Sequence, residues 1–70
     1  MNEFIKDFVM GYYKKACRGC VTWANEPNDS MYKTYFFERE MCVKMLMDLG
    51  FTYLELMDIE HDIVIDAKRG

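Results

Sequence analysis

No apolar run in this chain approaches the roughly 18–20 residues needed to span a bilayer, so no membrane segment is expected. No basic start leads into an apolar run either, so no secretory leader is expected, and with Met at its start the chain is expected to carry no pro-segment. Basic charge is in short supply. Nine Lys and Arg against twelve Asp and Glu leave a net charge of −3, without the basic stripe of a nucleic-acid binder. Proline occurs once, at Pro27, and histidine once, at His61. His61 has no serine or cysteine near it in sequence to form a nucleophile–base pair. Internal repeats and low-complexity segments are absent. The three cysteines cannot all pair within one chain, and without a leader they are expected to stay reduced in the cytoplasm.

What is present is core material. The apolar fraction of 51% is too high for a disordered chain, and it includes five Phe, five Tyr, one Trp and seven Met. Seventy residues make one domain, 1–70, of a size that is marginal alone and usually needs a metal, disulfides or oligomerisation. Charge is uneven along it. Residues 1–24 carry four basic and two acidic groups, and residues 49–70 carry five acidic and two basic groups.

The longest helix signal is Ser30–Gly50. Ser30 can cap its start, and Pro27 forbids propagation from before. Gly50 suits the left-handed residue past a helix end. At about 100° per residue, Met31, Tyr32, Tyr35, Phe36, Cys42, Val43, Leu46, Met47 and Leu49 fall on one half of the cylinder. Two features break the pattern. Arg39 lies inside the apolar arc, and Phe37, Met41 and Met45 form an i, i+4, i+8 ridge among polar residues.

An earlier helix is expected over about residues 2–20. Asn2 can cap it, and Phe4, Ile5, Phe8, Val9, Tyr12, Tyr13, Ala16 and Cys20 recur at helical spacing. Gly19 can end it, or it frays on through residues 21–24. The linker 21–29 contains Asn25-Glu26-Pro27-Asn28-Asp29, short enough to make the two helices antiparallel neighbours. After Gly50, the stretch Phe51–Met57 is rich in β-formers. Asp58–His61 is polar enough for a turn, and Asp62–Ala67 places Ile63 and Ile65 on one strand face. The expected fold is therefore α+β: two antiparallel amphipathic helices and a C-terminal β-hairpin over about 51–67. The alternative is a three-helix all-α domain, because Thr52 and Glu55 also fit a capping box.

Several residues bear on chemistry. Cys17-Arg18-Gly19-Cys20 is a C-x-x-C, but it falls at a helix end, where the dipole does not activate a thiol. Cys17, Cys20, Cys42 and His61 would supply a Cys3His zinc set by number and type, yet the last two are isolated in sequence. Cys20 and Cys42 read more simply as small hydrophobes on core faces. Lys14, Lys15 and Arg18 near Tyr12 and Tyr13 are too few for a base-stacking platform. Arg39 either covers apolar surface with its stem, reaches a carboxylate across an interface, or binds an anion. Glu55, Asp58, Glu60, Asp62 and Asp66 make an acidic surface at the C-terminal end.

No catalytic constellation, cofactor or metal is expected from these residues. The leading expectation is a non-enzymatic protein–protein interaction module that self-associates, as a two-fold dimer, through Phe37, Met41, Met45 and Arg39 on its second helix. One alternative is a small acidic inhibitor of the phage type, whose carboxylates occupy the basic site of a nucleic-acid-binding or defence protein. Another is a small zinc-stabilised module. Expected partners are a second copy or a host or cellular protein, with no direct nucleic-acid or membrane contact.

Overall fold

The computed structural model describes residues 3–69 and consists of three helices: α1 (Glu3–Thr22), α2 (Ser30–Asp48) and α3 (Tyr53–Arg69). The expected C-terminal β-hairpin is not formed. The segment assigned to two strands and a turn is one continuous helix. Three local facts explain why. Thr52 and Glu55 close a capping box: the Glu55 N–H donates to Thr52 Oγ1 at 3.2 Å, and the Thr52 N–H donates to Glu55 Oε1 at 2.8 Å. Asp58–His61, polar enough for a turn, holds no glycine or proline that would stop a helix. Leu56, Ile59 and Ile63 also lie three and four apart, so one helical stripe carries them into the core, whereas a strand would have split them between faces. Ile65, assigned to the core face of a strand, is exposed.

The first two helices form where the sequence places them, with shifted ends. Asn2, the expected cap of α1, lies outside the described residues. Gly19 does not end α1; it is buried inside the helix, against the ring of Tyr35. The cap of α2 is Asp29 rather than Ser30, and its Oδ1 accepts from the Met31 N–H at 2.8 Å. At the other end Gly50 takes φ 111°. The N–H groups of Phe51 and Gly50 donate to the Leu46 and Met47 carbonyls at 3.0 and 3.1 Å, the Schellman pattern that only a left-handed residue permits without strain.

The core is small. Among the described residues its buried members are Val9, Tyr13, Ala16, Cys17, Cys42, Val43, Leu46 and Leu56. Helix α3 contributes only Leu56 to that set, with Met57, Ile59 and Ile63 half-buried against it. The α1–α2 hairpin forms one layer and α3 lies across one of its two faces. The shortest extent, 19 Å, is about two helix diameters, as a two-layer stack requires, and among the described residues nothing covers the hairpin's other face.

Candidate interaction surface

Around α1, Tyr13 and Cys17 point toward α3, where they meet the Leu56 carbonyl and Glu60, and at about 100° per residue the buried Val9 and Ala16 lie on the arc beside them. Phe8 and Tyr12 point to the opposite side. Around α2, Arg39 points toward α3, where it meets Glu60, Cys42, Val43 and Leu46 are buried, and at about 100° per residue Phe37, Met41 and Met45 fall on the side away from Arg39. The two outward rows meet in an open groove of about 250 Å³ lined by Phe8, Val9, Tyr12, Phe37, Glu38, Met41, Cys42 and Met45. Phe8 is 61% exposed and Phe37 is 64% exposed. Along α1 the rings form a continuous file. Phe4 stacks on Phe8 with centroids 6.4 Å apart, and Phe8 meets Tyr12 edge-on at 6.0 Å. The expected ridge of Phe37, Met41 and Met45 is thus one wall of the groove. The other wall, on α1, is one edge of the apolar stripe that sequence spacing gives that helix.

Arg39 is not part of this surface. It sits on the α3 side, where its Nε and Nη2 donate to Glu60 Oε2 and Oε1 at 2.5 and 2.6 Å; Nη1 pairs with Glu40. The carboxylate that Arg39 reaches is not across an interface, as expected, but within the chain, in a bidentate pair. The same Glu60 carboxylate lies 3.9 Å from Cys17 Sγ, and the Tyr13 hydroxyl donates to the Leu56 carbonyl at 2.8 Å. Desolvation, followed by the Glu60 charge, pushes the Cys17 thiol up to about 11, and burial raises the Tyr13 phenol well above its ordinary value. The bidentate pairing keeps Arg39 charged more firmly than usual. Burial thus keeps the Tyr13 and Cys17 protons in place at neutral pH. Among the described residues no buried side-chain nitrogen or oxygen lacks a hydrogen-bond partner. The cluster reads as the polar clasp of α3.

The remaining candidate residues are dispersed. Cys17 and Cys42 are buried, Cys20 is half-buried and His61 is exposed. Among the described residues no three His, Cys, Asp or Glu side chains are grouped to hold a metal ion. Of the acidic set, Glu55 is engaged in the α3 cap and Glu60 in the clasp, while Asp58, Asp62 and Asp66 are exposed. Asp66 also borders a shallow depression with Arg18, Ile63 and Ala67. No described helix is long and apolar enough to cross a membrane.

The chain was compared with protein-family models, with curated proteins and with solved structures, and it matches none of them. No relative lends it an activity, so a functional reading has to rest on its surface.

Proposed function

We propose that this chain is a non-enzymatic protein–protein interaction module whose working surface is the open face of the α1–α2 hairpin. The carrying observation is the groove. Phe8, Tyr12, Phe37, Met41 and Met45 are each more than two-fifths exposed, and they adjoin one another instead of being scattered. Isolated exposed apolar residues are ordinary, but a contiguous patch on a small domain marks a contact surface. Phenylalanine, tyrosine and methionine are the types enriched at the centres of interfaces. The reading places the protein in the cytoplasm, where its three free thiols stay reduced.

A second reading has its own support. Asp58, Asp62 and Asp66 are exposed and four residues apart on α3. Like charges at that spacing cost helix stability, so a carboxylate file of this kind fits an acidic inhibitor of a basic site. One experiment separates the two readings: a photo-crosslinking residue placed at Phe37 or at Asp62 in cells producing the protein. Adducts from Phe37, to any protein or to a second copy, support the hairpin face. Adducts from Asp62 alone transfer the function to the acidic file. Silence at both positions overturns both readings.

A further inference from the structure

We infer that the groove is covered by a second copy of this chain, with α1 and α2 of each protomer forming a four-helix dimer and α3 lying outside on each flank. This rests on the hairpin face being the working surface and names its occupant.

At roughly 200 Å² per large side chain, the exposed fractions of Phe4, Phe8, Tyr12, Phe37, Met41 and Met45 amount to an open apolar surface on the order of 500–700 Å². Two copies meeting there would bury about 1,000–1,400 Å² in total, at or above the ~1,000 Å² expected of a specific interface. The whole chain points the same way. Its accessible surface is 5092 Å², whereas a compact monomer of 8.4 kDa would expose about 4,600 Å².

The face is also self-complementary. The face has two parallel files, one aromatic (Phe4, Phe8, Tyr12) and one methionine-rich (Phe37, Met41, Met45), each spaced i, i+4, i+8. A two-fold axis running along the helices lays the aromatic file of each copy over the methionine file of the other. Every neighbouring helix is then antiparallel, as in an up-and-down bundle. It also brings thioethers onto aromatic rings, a favourable and adaptable contact. The two-fold makes the contact isologous and closed.

Sedimentation equilibrium and isotope-filtered NMR test this on the full chain. The wild type should be a dimer at micromolar concentration. Phe8→Glu on α1 and Met41→Glu on α2 should each raise the dimer dissociation constant by about a hundredfold or more, because each places an unpaired charge in the contact. Leu54→Glu, on exposed α3, should leave it unchanged. Helical circular dichroism confirms that each variant is folded. In mixed labelled and unlabelled dimers, Tyr12 ring protons should show intermolecular contacts to the Met41 or Met45 methyl groups. A wild type that stays monomeric while Phe37 still crosslinks to a different protein overturns the second copy and leaves the interaction module standing. A dimer unaffected by both Phe8→Glu and Met41→Glu places the contact elsewhere and overturns the inference. If Phe37 also gives no crosslink, the hairpin reading falls with it. Ring-to-ring contacts without ring-to-methyl contacts overturn the proposed axis.

Discussion

Arg39 on α2 and Glu60 on α3 form a two-pronged ion pair, at 2.5 and 2.6 Å, with both side chains mostly withdrawn from water. It is the main polar link between helices that otherwise share little. Leu56 is the only fully buried side chain that α3 brings to the core. The position of α3, and so which hairpin face stays open, depends on this pair together with Leu56 and the hydrogen bond from Tyr13 to the Leu56 carbonyl.

Breaking the pair from one side should therefore be costly. Arg39→Met leaves the Glu60 carboxylate partly buried and without its main partner. A lone charge in a dry interior costs about 3–5 kcal/mol, and the residual exposure of both side chains, 16% and 22%, lowers the expectation to about 2–3 kcal/mol after screening. The double variant Arg39→Met/Glu60→Leu should recover most of that loss, since no charge is stranded. Urea unfolding of the three proteins measures both values. Equal losses in the single and double variants would show that the arginine acts through packing alone.

The two helical glycines of α1 should respond oppositely to alanine. Nothing lies within 4 Å of a Cβ added at Gly11, whereas a Cβ at Gly19 would run into the Tyr35 ring. Gly11→Ala should stabilise the domain by about 0.5–1 kcal/mol through helix propensity. Gly19→Ala gains the same propensity but must displace a tyrosine, and overpacking costs about 1–3 kcal/mol. A net loss is expected in thermal unfolding. Stabilisation of similar size at both sites would mean that Tyr35 moves aside freely.

These contrasts bear on what the sequence made legible. The first two helices, the tight end at Gly50 and the Phe37–Met41–Met45 ridge could be read from periodicity and punctuation, because all are local. The third helix was obscured by composition. Thr52, Tyr53, Ile63, Val64 and Ile65 favour strands, and the decisive signals were quieter: a capping box and the absence of any breaker between Asp58 and Asp66. The opposite wall of the groove was hidden for a different reason. Phe4, Phe8 and Tyr12 share an apolar arc with Val9 and Tyr13, and periodicity does not say which part of a wide arc a small partner layer will cover. Cys17 and Glu60 were missed as a pair because they are distant in sequence. The available signal was Arg39, whose place inside an apolar arc called for a carboxylate from another element.

The α3 cap should make the end of the domain sensitive to acid. Hydrogen bonds from the Thr52 N–H and then its hydroxyl hold the Glu55 carboxyl below its ordinary value. A depressed folded-state value means that the stabilisation is fully present above the ordinary carboxylate range and is lost as pH falls through the folded value. Amide exchange at the first turn of α3 should speed up as pH is lowered through that range, after correction for intrinsic exchange. Glu55→Gln should flatten the dependence, and Thr52→Ala should weaken the helix by about 1 kcal/mol. A pH dependence that survives Glu55→Gln would assign it to another carboxylate.

Thiol reactivity gives a third readout of how α3 sits. Cys17 is buried beneath α3, and its thiol is held near 11 by burial and by the Glu60 charge beside it. Cys42 is also buried, next to the groove, and its thiol is raised by desolvation. Cys20 is raised as well but only half-buried. The thiolate is the reactive form, so both access and ionisation rank the three. Alkylation at pH 8 followed by peptide mass spectrometry should label Cys20 first. Cys17 should react only as fast as α3 opens, so Arg39→Met, which loosens the clasp, should speed labelling of Cys17 more than that of Cys20. If Cys17 reacts as fast as Cys20 in the wild-type chain, α3 is not held over α1, and the face it covers is as open as the groove.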